Sequence, residues 1–247
     1  MVRRAALRYS KPSVSSARTK PIVAIDGPAG AGKSTVARLL AKELDFVLVD
    51  TGAMYRVVAL AADRQGIPFD DAPRVSDVAA ELVREEALAF ERADDGTMIV
   101  RLRGEDVSAA IRTPRIGLGA STVSAVPGVR KALLDLQRQA GRAGGVVLEG
   151  RDIGTVVFPD ADIKFYLTAT LDTRARRRHD ELASRGSKET FEEVVAEVAQ
   201  RDRQDSTREH APLRAADDAV TIDSTRLDIV ETVRALAERV RRLSDKV

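Results

Sequence analysis

The 247-residue sequence contains no cysteine, no tryptophan and only two histidines, His179 and His210. Without cysteine there is no disulfide framework and no thiolate metal site, and two histidines so far apart make no metal pair; we read both as surface residues. No apolar run is long enough to span a bilayer or to form the core of a signal peptide, so a cytoplasmic protein without membrane attachment is expected. Acidic residues are also missing, but only locally. Residues 1–20 carry Arg3, Arg4, Arg8, Lys11, Arg18 and Lys20 and no acid, whereas the remaining chain sets 34 basic against 38 acidic residues, a net −4. The overall excess of +2 thus belongs to a Ser-rich basic tail. The tail reads as a disordered extension, since it lacks the amphipathic pattern of a transit peptide. A folded surface that binds nucleic acid is not expected.

What is present is enough apolar material, 44% of residues, for a substantial core. Five short runs read as buried strands: residues 22–26 (IVAID), 46–50 (FVLVD), 146–149 (VVLE), 163–169 (IKFYLTA) and 219–223 (AVTID). Continuous rather than alternating apolarity is what parallel strands covered on both faces require. Between the first two, STVARLLAKEL at 34–44 puts Val36, Leu39, Leu40 and Leu44 on one helical stripe, which makes a βαβ unit. Near the C-terminus Leu227, Ile229, Val230, Val233, Leu236, Ala237 and Val240 recur at helical spacing. Residues 64–126 interrupt this rhythm with a helix at 75–86, a hairpin turning at Ala93–Gly96 and a Gly/Ser-rich helix; Pro127 then opens another, with Val129, Ala132, Leu133 and Leu136 inward. A shorter interruption, from Arg174 to about Glu192, joins RARRRHD to SRGSKE.

GPAGAGKS at 27–34 follows a strand and opens a helix, as a phosphate-binding loop does. Gly27, Gly30 and Gly32 let the backbone curl so that N–H groups face a polyphosphate, with the helix N-terminus adding its partial charge. Pro28, Ala29, Ala31 and Thr35 complete the loop, Lys33 reaches the β and γ phosphates, and the Ser34 hydroxyl joins a bridging Mg²⁺. Such loops serve switches, motors and kinases alike. No NKxD base-reading motif is present, and the run that a motor would end in adjacent acids ends here in Glu149-Gly150-Arg151-Asp152.

In an open parallel sheet, ligands bind beyond the carboxyl ends of the strands. Asp50 leads there into Thr51-Gly52-Ala53-Met54-Tyr55-Arg56, and Glu149 into Gly150-Arg151-Asp152. Arg56 and Arg151 would suit a second, dianionic phosphate; the alternative is an ion pair with Asp152 or Asp50. Glu149 would orient metal-bound water or simply end a strand.

IDGPAGAGKS, DTGAMYR, RGEDVS at 103–108, IRT at 111–113, EGRDIGTVVFPDA at 149–161 and RDRQDSTR at 201–208 resemble bacterial cytidylate kinases, in order, over residues 21–240. The resemblance implies transfer of a phosphoryl group from ATP, with Mg²⁺, to CMP or dCMP in pyrimidine metabolism. It also implies a five-stranded P-loop α/β fold with helices on both faces, a monophosphate-binding insert at 64–126, a short lid at 174–192 and a core at 21–63, 127–173 and 193–247. The residues it assigns to the monophosphate are Thr51, Tyr55, Arg56, Ser121, Arg130, Arg151, Asp152, Asp205 and Arg208. Ser121, Arg130 and Asp152 offer the donors and acceptor that cytosine needs, Asp152 also orienting Arg151, and Asp205 lies near the sugar. The family often has serine where this chain has Thr51, which alters only the fit of one methyl. Arg174, Arg177 and Arg178 are the lid arginines expected around the transferred phosphoryl, Arg174 on the ATP side and Arg177 and Arg178 catalytic with Lys33, Arg151 and Asp152; Arg176 is the weakest of the row. A monomer is expected. The reading of a different class is a nucleotide-binding regulatory module without turnover.

Overall fold

The computed structural model describes residues 6–7, 20–92, 98–184 and 186–244. In chain order the first elements are β1 (Ala6–Leu7), β2 (Ile22–Asp26), α1 (Lys33–Leu44), β3 (Val47–Asp50), α2 (Thr51–Arg64), α3 (Ala72–Arg84), β4 (Leu88–Arg92), β5 (Met98–Leu102) and β6 (Glu105–Asp106). A 3₁₀ turn (Ala110–Arg112), α4 (Pro114–Ser124), α5 (Pro127–Gly141), β7 (Val146–Gly150) and a π-helical turn (Ile153–Val157) follow. The chain continues through β8 (Ile163–Thr168), α6 (Leu171–Ser184), α7 (Phe191–Thr207), β9 (Val220–Asp223) and α8 (Ile229–Ser244). It divides into two compact units, one of residues 1–17 and 51–142, the other of residues 18–50 and 143–247.

The second unit is the α/β fold that the apolar runs imply. Its five strands lie in the order β3-β7-β2-β8-β9 and every pairing is parallel. β2 is central and all five of its residues are buried, which is why it tolerates no polar residue before Asp26. α1 and α8 cover one face: Val36, Ala37 and Leu40 meet Val233, Leu236, Ala237 and Val240 over Val23, Ile25, Val147, Phe165 and Leu167. α8 starts at Ile229 with Asp228 and Glu231 bonding each other's backbone N–H, a reciprocal cap. In its first turn Ile229 and Val230 face outward, 49% and 64% exposed, so these two residues of the expected apolar stripe stay outside the core, while Leu227 packs against it. α6 and α7 pack on each other through Ala175, Leu182, Val194 and Val198, and α7 opens with a capping box between Thr190 and Glu193.

The first unit centres on α2, whose residues from Ala53 to Ala62 are buried except Arg56. A helix apolar nearly all round must be covered on all sides. α4 packs on α2, and α3 on α5, with Val75, Val78, Ala79 and Leu82 forming the buried stripe of α3. α3 begins earlier than its apolar residues suggest, because Asp71 accepts from the Arg74 N–H and Pro73 sits in the first turn. β4 and β5 form the expected antiparallel hairpin, flanked by β1 and β6. Its turn at 93–96, and almost all of the basic tail, lie outside the described residues. The division by packing puts 51–63 and 127–142 with the 64–126 segment, because α2 and α5 are buried by α4 and α3.

Candidate active site

The phosphate loop leaves β2 where only glycine fits. Gly27 has φ +150°, and a Cβ there would stand 2.0 Å from the Leu167 carbonyl oxygen; Gly30 has φ +73° with the Arg174 carbonyl 2.7 Å from a Cβ. Gly32, left-handed as well, caps α1. Lys33 is buried, and its Nζ donates to the Pro28 carbonyl at 2.7 Å, holding the loop curled. Burial lowers the Lys33 ammonium well below its ordinary range; Arg151 adds to this, while Glu149, Asp205 and Asp26 oppose it. A polyphosphate beside Lys33 would restore the lost charge.

The turn after β7 leaves the sheet beside this loop. Ile25 pairs with Glu149 and Asp26 with Gly150, so both connections rise from neighbouring strands at one level. Ser34 donates through Oγ to Glu149 Oε2 at 2.9 Å, although 115 residues separate them. The hard oxygens of Ser34 and the buried Glu149 suit Mg²⁺, and nucleotide phosphates would complete its ligands. No group of three or more His, Cys, Asp or Glu side chains forms a metal site by itself among the described residues. Asp26 accepts from the Ile153 and Gly154 N–H groups, both at 2.8 Å, and thereby starts the π-helical turn that follows Asp152. Burial pushes its carboxyl up from 3.8 to about 6, against those two hydrogen bonds.

Arg151 meets Asp205 of α7. Its Nε donates to Asp205 Oδ2 at 2.7 Å and its Nη1 to the Gly150 carbonyl at 3.2 Å. Arg208 Nη1 lies 3.8 Å from the same carboxylate and Arg208 Nε donates to the Ala211 carbonyl. Burial alone would raise Asp205, but Arg151, Arg208 and Arg201 hold it below the usual carboxylate range. Asp205 is thus a carboxylate that fixes Arg151, while Asp152 is buried and its carbonyl accepts from the Val156 and Val157 N–H groups.

Arg201 completes this cluster and is the residue that sequence reasoning missed. It is lowered first by burial and then by Arg151, and its Nε is buried without a hydrogen-bond partner among the described residues. Its signal was in RDRQDSTR: Arg201 and Asp205 stand four apart on one face of α7, and Arg208 follows at the helix's C-terminal cap.

The arginines of α6 diverge. Arg174, expected at ATP, is buried and bonds to Ala169, Ala29 and Asp202. Arg177 donates to the Ser224 hydroxyl and carbonyl at 3.0 and 2.7 Å, and its Nη1 lies 3.9 Å from a Cβ built on Gly32, next to Lys33. Arg178 pairs with Glu181 at 3.1 Å, and the exposed Arg176 with Asp172 and the Phe191 ring.

In the other unit, Thr51 and Tyr55 are buried in the first turns of α2, and Arg56 follows half-buried. The Arg130 guanidinium lies 5.7 Å from the Tyr55 ring centroid and donates to the Ser124 carbonyl at 3.2 Å. Ser124 in turn donates to the Ser121 carbonyl, so the α4–α5 junction ties Arg130 to the end of the helix that carries Ser121.

No helix among the described residues is long and apolar enough to cross a membrane. The family model described as cytidylate kinase matches residues 23–242. A protein named cytidylate kinase from Citrifermentans bemidjiense is 56% identical over 89% of this chain and 92% of its own length. One of the same name from Geobacter sulfurreducens is 54% identical over the same shares, and one from Pelotomaculum thermopropionicum is 50% identical over 89% of this chain and 96% of its own. With more than half of its residues matched by the family model and relatives at this identity, the chain belongs to the cytidylate kinase family.

Proposed function

We propose that this protein transfers the γ-phosphoryl group of ATP to CMP or dCMP. The P–O bond between the γ phosphorus and its bridging oxygen breaks, an oxygen of the monophosphate forms the new bond, and ADP leaves. The observation that carries the reading is the Arg151–Asp205–Arg208 cluster beside a complete phosphate loop, on neighbouring strands of one sheet. A phosphate-binding loop alone implies only a donor; guanidinium groups held at the same sheet edge supply an acceptor site for a second phosphate.

Phosphoryl transfer asks the protein for positioning and charge neutralisation more than for covalent chemistry. The backbone of residues 27–35 and Lys33 would hold the ATP phosphates. Ser34 and Glu149 would hold Mg²⁺, which when bound neutralises charge between the β and γ phosphates. Arg151, kept in place by Asp205, would grip the acceptor phosphate, with Arg201 and Arg208 as further cations. Arg177, beside Gly32, and Arg178 would meet the group in transit. For the base, Asp152 would accept from the cytosine amine, and Ser121 and Arg130 would serve as donors, with Tyr55 steadying Arg130. This reading takes the enzyme as a cytoplasmic monomer acting in pyrimidine metabolism.

The test is ADP production from Mg-ATP with a panel of acceptors. CMP and dCMP should lead AMP, GMP and shikimate by at least about a hundredfold, since a site built to hydrogen-bond one base rejects others strongly. No turnover with either cytidine monophosphate would overturn the assignment.

A further inference from the structure

Ala29, at the apex of the phosphate loop, has both of its backbone polar groups taken by one ion pair. Its N–H donates to Asp202 Oδ1 at 3.3 Å, and its carbonyl accepts from Arg174 Nη1 at 3.0 Å. The same Arg174 nitrogen closes the ring on Asp202 Oδ2, while Nε is fixed on the Ala169 carbonyl at 2.9 Å. Arg174 is 7% exposed, and the Ala29 methyl packs among Ala175, Leu182, Val194 and Val198. The Nε and Nη1 groups of Arg174 are thus both committed to protein acceptors.

A planar trans peptide makes this a directional device, because its C=O and N–H point to opposite sides. The Ala29 N–H faces Asp202, so the Pro28 carbonyl of the same peptide faces the other way, where Lys33 Nζ takes it at 2.7 Å. The Ala29 carbonyl faces Arg174, which aims the Gly30 N–H away from α6 toward the interior of the loop. We propose that Arg174 and Asp202 are positioning residues for ATP, which orient the two peptides flanking Ala29 and so preset the loop's N–H groups and Lys33. Resting on the kinase reading above, this assigns Arg174 to the loop's architecture in place of direct contact with ATP. It also gives α7 two duties, since Asp202 lies one residue from Arg201 and three from Asp205.

The experiment is calorimetric binding of ATP with Mg²⁺ to Arg174→Gln, Asp202→Asn and the double variant, with CMP binding and Tm measured in parallel. Binding needs no turnover, so the result stands even if the acceptor proves to be another molecule. Each single variant should weaken ATP binding about tenfold or more and CMP binding less than about threefold, and the double variant should be no weaker than the worse single. Loss of ATP binding in the Arg174 variant alone, or additive losses, would overturn the proposal in favour of direct contact. Equal losses for ATP and CMP would reduce the pair to a general stabiliser. If Arg174→Gln fails to fold, Arg174→Lys, which keeps the charge but not the fork, must still weaken ATP selectively; unchanged ATP binding there would overturn the proposal as well.

Discussion

Arg151 and Asp205, 54 residues apart in the chain, meet with Nε 2.7 Å from Oδ2 at the carboxyl edge of the sheet. The pair leaves part of the guanidinium for a ligand while fixing its plane, which is what a fork for phosphate needs. Asp205→Asn keeps the shape and removes the charge. It should lower kcat/KM for CMP about 10- to 100-fold, the worth of a charge-assisted bond, with ATP affinity unchanged in a binding titration. An equal loss of ATP affinity would place Arg151 on the donor side. Because Arg151, Arg208 and Arg201 hold Asp205 below the ordinary carboxylate range, its contribution to stability is present above the unfolded value. That contribution is lost as pH falls through the depressed folded value, and wild type and Asp205→Asn should converge in acid melts.

The strands were legible because each is buried on both faces and therefore continuously apolar, and the phosphate loop because its spacing is local. The partners of charges were not. Arg151 reaches Asp205 of α7, 54 residues further on, a partner that no adjacency in the sequence points to. Arg174 looked like its neighbours in RARRR, but a helix turns about 100° per residue, so consecutive arginines face Ala29, Asp172, Ser224 and Glu181 in turn. Helical spacing would have exposed Arg201 once Asp205 was placed. Ile229 and Val230 misled because apolar periodicity does not show which residues of a first turn face outward.

Glu149 sits where it holds the Ser34 hydroxyl at 2.9 Å, so removing its charge should act on the metal before it acts on either nucleotide. Glu149→Gln preserves the size and one oxygen acceptor. Its Mg²⁺ titration of activity should shift to higher concentration by about tenfold, with the residual rate partly recovered at saturating metal. Chelation of Mg²⁺ should abolish turnover in both proteins. A lowered rate with an unshifted Mg²⁺ midpoint would separate Glu149 from the metal.

Asp26 should make stability fall as pH rises toward neutrality. Its folded value of about 6 lies above the ordinary 3.8, so the folded state holds the proton more tightly than the unfolded chain. The protonated form therefore stabilises the fold below the unfolded value, and that advantage is lost as pH rises through about 6. Full loss is on the order of 3 kcal/mol. In Asp26→Asn this dependence should vanish, so urea melts at pH 4.5 and 7.5 should differ less for the variant than for wild type. The variant also leaves one of the Ile153 and Gly154 N–H groups facing an amide N–H, which should lower its stability at every pH by about 1–3 kcal/mol. Parallel pH profiles for the two proteins would show that Asp26 does not titrate near 6.

Gly30 and Gly66 separate two reasons for being glycine. Both are left-handed, with φ +73° and +65°, but a Cβ on Gly66 meets nothing within 4 Å, whereas one on Gly30 stands 2.7 Å from the Arg174 carbonyl oxygen. Gly66→Ala should therefore cost only the left-handed backbone, roughly 1–2 kcal/mol, and leave nucleotide binding alone. At Gly30 the obstacle is backbone of α6, held by the Ala169 and Ala29 contacts of Arg174, so no side chain can swing aside. The loop must shift instead. Gly30→Ala should lose about 2 kcal/mol beyond the Gly66 variant in urea melts and weaken ATP binding at least tenfold, with CMP binding within about threefold of wild type. Equal stability losses in the two variants would show that the loop can move off α6 at little cost.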